Sequence, residues 1–415
     1  DAQESRGLGD VYKRQVKELV QKHGEYVVEM RRYFHENPEL SWEEFETTKK
    51  IAEELDKIGI PYEVNEERKS GVVGVIEGKK GAGRTVALRA DIDALPVQED
   101  TGLPFASKNE GVMHACGHDC HTAMLLGAAK ILKDMEDEIE GKIYLVFQPS
   151  EEAGGLENSG AAVMKKFGNW YSETEAIYGS HIITSGLPTG VISVQPGERM
   201  AAAAGFDIEI VGKGAHGSSP HMGIDPIVVA AQIIISLQLL VTRKYSSTDP
   251  FVINIGSVNS GKAFNVVPET ATMSGTVRYL NPEIRKTAED DIRNVVDNIC
   301  ALYGAKGTLD YREQVLATYN DKALSEIAKG SVGKVMGERA AIEIPKVMGG
   351  EDFSFYLEEK PGVFGLLGGD HMDRENYPNH SPKFNPNEQA LPLGAGVYAQ
   401  FAICLLYTSD AADDS

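Results

Sequence analysis

The 415-residue chain has only four cysteines, fewer basic than acidic residues and no long uninterrupted apolar run. Two of the cysteines share one eight-residue segment, which is not the pattern of a disulfide framework, so we expect a reducing cytoplasm as the location. Asp and Glu number 62 against 41 Lys and Arg, and the net charge of −21 argues against nucleic acid or an anionic membrane as partner. The longest apolar stretch, 227–241, is interrupted by Gln232, Ser236 and Gln238, so we expect no bilayer-spanning segment.

The length exceeds the size at which one hydrophobic core keeps growing, which predicts two domains. Segments 1–15 and 405–415 carry no apolar period and do not continue the neighbouring elements, so we expect both to be non-native tails. The opening also lacks the basic-then-apolar pattern of a secretory signal. The sequence shows no internal repeat and no low-complexity linker.

Segment 114–121 reads His-Ala-Cys-Gly-His-Asp-Cys-His and is the most informative stretch of the chain. A single histidine is usually a core or surface residue, but this segment holds three of the ten histidines and two of the four cysteines. Thiolate and imidazole are ligands that a borderline-soft divalent metal prefers. Cys116 and His118 are separated by one glycine, so a turning backbone can bring both to one ion. The clustering predicts a metal site.

A second informative stretch ends in two adjacent carboxylates, Glu151 and Glu152, which follow the apolar run 143–147. A Glu-Glu pair is normally a solvated surface feature, as Glu43-Glu44 is expected to be. Beside a metal cluster, however, a free carboxylate completes the groups that a metallohydrolase needs. The two stretches together therefore indicate a metal-dependent hydrolase.

The spacing of apolar residues predicts two helices within 16–59, separated at Asn37-Pro38, with Ser41 and Glu44 as a capping box for the second. Strands are predicted at 72–76, 85–90, 143–147 and 176–179, with a helix at 119–135. This alternation predicts a largely parallel sheet covered by helices. The polar residues that follow these strands then share one sheet edge, where open α/β sheets build their sites. They are Asp91, Asp93, Glu151, Glu152 and His181.

From residue 199 the pattern changes to strand, helix, two strands, helix and strand, which is the ferredoxin-like order. Buried-strand character returns at 344–348 and 363–367. The sequence therefore predicts a mixed, largely parallel α/β catalytic domain formed by 16–198 and 314–404, with a ferredoxin-like α+β domain inserted at 199–313.

Several further motifs have the order and spacing of a known family over roughly residues 16–404. They are Arg89-Ala-Asp91-Ile-Asp93-Ala-Leu-Pro96, Met113 to His121, Phe147-Gln-Pro-Ser-Glu151-Glu152, Gly179-Ser-His181, Gly212-Lys-Gly-Ala-His216 through Asp225-Pro226, Gly349-Gly-Glu351-Asp352-Phe353-Ser354 and His380-Ser-Pro-Lys-Phe384. With these motifs the chain resembles the two-domain metal-dependent amidohydrolases that include hippurate hydrolase, N-acyl-amino-acid deacylases and plant indoleacetyl-amino-acid hydrolases. In this resemblance the inserted domain is a lid and dimerisation domain.

The resemblance implies a dinuclear metal site with Glu151 as general base and Cys116 as the ligand that bridges the two ions. The implied ligands are Cys116, His118, Glu152, His181 and His380. Two ions about 3.5–4 Å apart accommodate five ligands better than one ion does. A cysteine ligand favours zinc, with manganese next and cobalt or nickel still open.

Other residues of the catalytic domain are expected to support the ligands. His114 and His121 are expected to orient them, and Asp91 and Asp93 to set the protonation states around them. Asp119 can cap the helix that follows or act as such a partner, and the cap is favoured.

In the inserted domain, His216 lies in a glycine-rich turn, where a residue can reach a site from elsewhere. The resemblance implies that it polarises the scissile carbonyl or stabilises the oxyanion, often from the partner subunit of a homodimer or higher homo-oligomer. Asn265 and Arg278 are candidates to hold the α-carboxylate of the substrate, since the guanidinium fork suits a carboxylate. The alternative for Arg278 is a surface strand residue.

The expected activity is hydrolysis of the amide bond of N-acyl-L-amino acids to a carboxylic acid and a free amino acid. A short-peptide hydrolase or a deacetylase of one biosynthetic intermediate would use the same residues and is the alternative. A non-catalytic binding protein is disfavoured because Glu151 and every implied ligand are present. A zinc deaminase is disfavoured because no Pro-Cys-x-x-Cys motif accompanies the cluster. The preferred acyl group and amino acid stay open.

Overall fold

The structure is a computed structural model that describes residues 2–153 and 155–407, with side chains described from Arg14 onward. The α-helices are α1 Ala2–Glu36, α2 Phe45–Ile58, α3 His118–Asp134, α4 Gly160–Met164, α5 Trp170–Glu173, α6 Pro226–Arg243, α7 Pro282–Tyr303, α8 Lys322–Met336, α9 Ser354–Leu357 and α10 Ala390–Leu406.

The strands alternate with these helices along the chain. They are β1 Tyr62–Val64, β2 Val72–Glu77, β3 Thr85–Asp91, β4 Lys142–Gln148, β5 Ala176–Pro188, β6 Ile192–Ser193, β7 Gly197–Met200, β8 Ala202–Val211, β9 Ala215–His216, β10 Phe251–Ser260, β11 Val266–Val267, β12 Thr270–Tyr279, β13 Lys306–Val315, β14 Thr318–Asn320 and β15 Gly362–Asp370.

The chain forms two compact units. Unit 1 extends to Gly197, includes Tyr319–Pro345 and resumes at Phe355, whereas unit 2 comprises Glu198–Thr318 and Lys346–Ser354. The domain boundaries 16–198, 199–313 and 314–404 stay a prediction from the sequence.

Unit 1 is built on a seven-stranded sheet with strand order β1-β2-β4-β3-β5-β15-β6. The neighbours β4, β3, β5 and β15 pair in parallel, whereas β1, β2 and β6 at the edges pair antiparallel. Six consecutive residues of β4 are buried, which is typical of strands covered on both faces. The predicted mixed sheet with a parallel centre is confirmed.

Helix α3 carries most of the predicted metal cluster and lies deep in unit 1. Fourteen of its seventeen residues are buried, and the polar residues His118, Asp119 and His121 of its first turn are among them. Gly127 allows α1 to approach closely, because a Cβ at this position would lie 2.4 Å from Cγ2 of Val27. Helices α1 and α10 both pack against α3 within the core of unit 1.

Unit 2 has a four-stranded antiparallel sheet with strand order β10-β12-β8-β13, with α6 and α7 packed on it. This is the predicted ferredoxin-like arrangement, and it is confirmed. Helix α6 is, within the described residues, the one helix long and apolar enough to cross a membrane by length and composition, a test that core helices also pass. Its residues Val229, Ala230, Ile233 and Leu237 are buried in the core of unit 2.

Four local predictions were wrong. Segment 344–348 forms no strand in the described chain; it makes an isolated bridge between Met200 and Val347 and is partly exposed, so its apolar residues do not mark a buried strand. Glu44 is the N-cap of α2 but makes no side-chain cap hydrogen bond, because its carboxylate binds elsewhere. Glu44 is also fully buried, so the expected solvated pair Glu43-Glu44 was wrong for this residue. Leu405 and Leu406 are buried core residues of α10, so they are not part of a tail.

The remaining tail predictions fall partly outside the described residues. The backbone of α1 is continuous from Ala2, so segment 2–15 does continue the helix that follows it. Residues 1 and 408–415 lie outside the described residues.

Candidate metal centre

The candidate centre lies at the carboxyl ends of the parallel strands of unit 1. Asp91 is the last residue of β3, Glu151 and Glu152 follow β4, and His181 lies in β5. Because parallel neighbours end at the same sheet edge, residues from distant parts of the chain converge there.

A tight turn before α3 places the thiol and the first imidazole. Gly117 joins Cys116 to His118 with φ of 96°, a left-handed conformation that glycine adopts without strain. A Cβ at Gly117 would lie 2.6 Å from Cγ2 of Ile182 and 3.3 Å from the ring of Phe384. The turn therefore requires glycine for both its conformation and its space.

The structure brings all five predicted ligands and Glu151 together in overlapping groups. The ligand atoms of Cys116, His118 and His181 lie within 4.8 Å of one another, with Cys116 Sγ 3.3 Å from His181 Nε2. A second such group is formed by Cys116, Glu152 and His380. Cys116 belongs to both groups. A third group joins His118 to Glu151 and Glu152, so both carboxylates reach the cluster.

The chemistry of these donors fits divalent cations. Nε2 of His118 is buried and has no hydrogen-bond partner in the described part of the chain, which is costly unless a ligand occupies it. Burial and the neighbouring Glu152 and Glu151 raise the pKa of the Cys116 thiol well above its usual value. A cation beside the thiol would reverse this effect, because a coordinating thiol is deprotonated outright.

The imidazole of His118 is oriented by two carboxylates. Its Nδ1 lies 3.1 Å from Asp93 Oδ1, and its Nε2 lies 3.8 Å from Asp91 Oδ2. Burial opposes the charged ring, but Asp91 and Asp93 outweigh it and raise the pKa of His118 to about 10. A carboxylate on Nδ1 leaves Nε2 as the ligand atom, the arrangement found behind most metal-binding histidines.

His121 and His114 have different surroundings. His121 Nδ1 lies 2.5 Å from Asp91 Oδ1, and its Nε2 accepts a hydrogen bond from the Ile182 N–H at 2.8 Å. Both ring nitrogens are therefore occupied, which supports an orienting role. Asp91 also accepts a hydrogen bond from Arg89 Nη1 at 2.7 Å. His114 is buried without a hydrogen-bond partner among the described residues, and burial lowers its pKa to about 4.

Two residues of the centre have a positive φ although they carry side chains. Ser150, directly before the two glutamates, has φ of 51°, and His380 has φ of 69°. Such conformations cost about 1–3 kcal/mol each and persist where the surrounding structure enforces them. For His380 the constraint is a hydrogen bond from its own N–H to the carbonyl of Ala115 at 2.7 Å. Its Nε2 then lies 3.3 Å from Glu152 Oε1.

The predicted helix cap by Asp119 was wrong. Gly117 is the N-cap of α3, and Asp119 lies in the first helical turn with its carboxylate directed to α1. There it accepts a hydrogen bond from Arg31 Nε at 3.0 Å and lies 2.8 Å from His35 Nδ1. Sequence reasoning missed Arg31 and His35, although two basic residues four positions apart on an apolar helix face are a usable signal.

Three predicted catalytic or substrate-binding residues, His216, Asn265 and Arg278, lie in unit 2. His216 in β9 is exposed and pairs with Val266 in β11. Asn265, directly before Val266, is also exposed, and its backbone carbonyl accepts a hydrogen bond from the Gly217 N–H at 2.8 Å. Arg278 is half-buried in β12, opposite Ala203 and Val252. The structure thus brings His216 and Asn265 together on one loop pair and places Arg278 in the sheet.

Comparisons with known proteins agree with this architecture. The model of peptidase family M20/M25/M40 matches residues 87–403. Thermostable carboxypeptidase 2 of Saccharolobus solfataricus is 42% identical over 401 residues, covering 95% of this chain and 98% of the relative. IAA-amino acid hydrolase ILR1-like 4 of Arabidopsis thaliana is 40% identical over 385 residues, covering 91% and 85%. The crystal structure of a dinuclear metal-binding peptidase of the M20 family from Bacillus subtilis matches with a TM-score of 0.81 at 35% identity, covering 94% of this chain and 100% of that one.

Proposed function

The chain belongs to peptidase family M20/M25/M40 and is a metal-dependent amidohydrolase, and from this premise we propose that it hydrolyses N-acyl-L-amino acids to a carboxylic acid and a free amino acid. The observation that carries the proposal is the sharing of Cys116 between two donor groups, with Glu151 beside them. The Arabidopsis relative, which is named an IAA-amino acid hydrolase, supports this substrate class.

We assign Cys116, His118, Glu152, His181 and His380 to hold two divalent ions, with Cys116 shared between them. Bound ions supply Lewis acidity that polarises an amide carbonyl and lowers the pKa of a water molecule. Glu151 takes the proton of the attacking water and then donates it to the leaving amine. Glu152 is assigned as ligand rather than base because it shares a donor group with Cys116 and His380, which Glu151 does not.

His216 is proposed to stabilise the oxyanion. The Ser218 N–H donates to His216 Nδ1 at 3.2 Å, so Nδ1 is an acceptor and the neutral ring carries its hydrogen on Nε2. An exposed Nε2–H can donate to a developing oxyanion. We propose that it does so across a homodimer, because it lies on an exposed glycine-rich loop of unit 2.

Arg278 and Asn265 are proposed to hold the α-carboxylate of the substrate. Burial lowers the pKa of the Arg278 guanidinium, and among the described residues no carboxylate offsets this cost. A half-buried cation of this kind favours an anionic ligand. The amide of Asn265 adds a neutral donor.

The metal proposed is zinc or manganese, since a thiolate ligand favours zinc while the carboxylate suits either ion. The four cysteines are free. Because a thiol ligand must stay reduced to bind metal, we propose the cytoplasm as the location.

The test is a substrate screen of the purified chain reconstituted separately with Zn²⁺, Mn²⁺, Co²⁺ and Ni²⁺. Acetyl, benzoyl and indoleacetyl amino acids are compared with dipeptides and with the same acyl amino acids amidated at the α-carboxylate. We expect turnover of the free-acid acyl amino acids to exceed turnover of the other two classes. Faster hydrolysis of dipeptides would favour the peptidase alternative, which the Saccharolobus relative represents. Turnover of a single acetylated compound would favour the deacetylase.

A further inference from the structure

Ser41 and Glu44, the predicted capping box of α2, have a different role in unit 1. The carboxylate of Glu44 is fully buried and accepts a hydrogen bond from the Ser150 N–H at 2.8 Å with Oε1. Its Oε2 accepts a second hydrogen bond from the Ser70 hydroxyl at 2.7 Å. Glu44 therefore spans 106 positions of sequence to reach the turn that carries Glu151 and Glu152.

Ser150 is the strained residue of that turn. Its φ of 51° costs free energy that other contacts must offset. The Glu44 carboxylate holds the Ser150 N–H, and the N–H of Gly160 donates to the Ser150 carbonyl at 2.9 Å. A Cβ at Gly160 would lie 1.5 Å from the Pro149 carbonyl oxygen, so the backbone behind the turn is closely packed. Glu44 thus holds the peptide group before Ser150, and Gly160 holds the peptide group after it.

Ser41 holds the same turn through an aspartate. Its hydroxyl donates to Asp93 Oδ2 at 2.6 Å, and that oxygen also accepts a hydrogen bond from the Glu152 N–H at 3.0 Å. The other oxygen of Asp93 binds His118 Nδ1. Ser41 and Glu44, three positions apart before α2, therefore reach both backbone N–H groups that flank Glu151.

We propose that Glu44 is a positioning residue that holds Ser150 in its left-handed conformation and thereby directs Glu151 and Glu152 to their separate tasks. The inference rests on the roles given to these two glutamates in the proposed function. The turn needs the acceptor atom rather than its negative charge, because the two partners of Glu44 are a backbone N–H and a hydroxyl and neither is a cation. A neutral amide at this position is expected to preserve the hydrogen bond.

The test compares Glu44→Ala, Glu44→Asp and Glu44→Gln with the parent chain. Ala lacks the acceptor, Asp is too short to reach the Ser150 N–H, and Gln retains it. For Ala and Asp we expect kcat to fall by about 10²-fold with little change in KM, because the base is misplaced. Gln should restore most of kcat. The exposed neighbour Glu43→Ala is the matched control and should behave as the parent.

A second readout needs no substrate. Hydrogen exchange of the amides in 148–153 is measured on the metal-free protein, where loss of the Glu44 acceptor should speed exchange at Ser150 by about 10-fold. Unchanged exchange in Glu44→Ala and Glu44→Asp, or faster exchange with unchanged kcat, overturns the proposal. If Glu44→Ala fails to fold, the comparison of Glu44→Asp with Glu44→Gln in kcat and in exchange at Ser150 decides. If the parent hydrolyses no acyl amino acid while exchange at Ser150 responds as expected, the proposed substrate is wrong and the hold of Glu44 on the turn is supported.

Discussion

The Arg31 guanidinium donates to the Asp119 carboxylate at 3.0 Å, and both side chains are fully buried. Arg31 lies in α1 and Asp119 in the first turn of α3, directly after His118. His35 lies 2.8 Å from the same carboxylate oxygen. The ion pair therefore ties the start of α3, which carries the predicted metal ligand His118, to the neighbouring helix α1.

Replacing Asp119 by Asn should destabilise the protein by about 3 kcal/mol, because the buried Arg31 then keeps only the partly exposed Glu388, 3.1 Å from its Nη1, as a counter-charge. The free energy of unfolding in urea measures this. Glu18→Gln is the matched control, since its pair with Arg14 is exposed and should contribute less than about 0.5 kcal/mol. Equal stability of Asp119→Asn and the parent would mean that the pair makes no net contribution.

The same pair predicts a dependence on pH. Burial opposes the charged carboxylate, but Arg31 and His35 hold the pKa of Asp119 well below its usual range. A lowered pKa means that the stabilisation is fully present above the unfolded pKa of about 3.9 and is lost as pH falls below it. The part of the stability difference that comes from the Asp119 carboxylate should therefore shrink below about pH 4. Asp119 also raises the pKa of His35, so the part that comes from His35 should be lost as pH rises through that raised pKa. A difference that grows below about pH 4 would contradict the assignment.

Glu151 and Glu152 should respond differently to the same conservative substitution. Glu151→Gln should retain both metal ions and lose activity by several orders of magnitude, because the base is removed. Glu152→Gln should lose metal, which elemental analysis after gel filtration measures. The reverse pattern would exchange the two roles.

Cys116 should make reconstitution sensitive to oxidation, since only the thiolate binds metal. Peroxide treatment of the metal-free protein should block later metal binding, whereas prior loading should protect it. Cys300, which lies in α7 of unit 2, supplies the control: Cys300→Ser should leave this behaviour unchanged. Equal sensitivity of the loaded and metal-free forms would argue that Cys116 is not a ligand.

Arg278→Ala should raise KM for N-acyl amino acids by about 10²-fold, the effect of losing about 2–3 kcal/mol from a charge-assisted pair. Substrates amidated at the α-carboxylate should be poor for the parent and scarcely worse for the variant. Steady-state kinetics on both substrate types measures the contrast. An equal penalty on the two types would assign Arg278 a structural role.

If His216 acts in the active site of the partner subunit, two inactive variants should complement each other. Homodimers of His216→Ala and of Glu151→Gln should each be inactive. When the two variants are dissociated, mixed and reassembled, half of the dimers are mixed and each mixed dimer holds one competent site. About a quarter of the parental activity should therefore return. The fraction of mixed dimers is measured by native mass spectrometry. Mixed dimers without recovered activity would place His216 in the site of its own subunit or outside catalysis.

Local sequence patterns predicted much of the fold. The predicted order of strand, helix, two strands, helix and strand is the order observed in unit 2, because long apolar-faced helices and alternating strands carry a strong period. The apolar residues at 344–348 misled the prediction, since a short apolar run has no period that distinguishes a strand from a partly exposed loop. Ser41 and Glu44 have the spacing of a capping box, yet their side chains bind Asp93 and Ser150 instead.

The sequence by itself determined which chemistry is available: a thiol, imidazoles and carboxylates at strand ends and in one glycine turn, with the order of elements that brings them to one sheet edge. Only the tertiary structure decided which polar side chains orient these groups. Arg31 meets Asp119 across 88 positions and Glu44 meets Ser150 across 106. The physical reason is that a buried polar group takes its hydrogen-bond partner from whichever element packs against it, and sequence spacing does not record that packing.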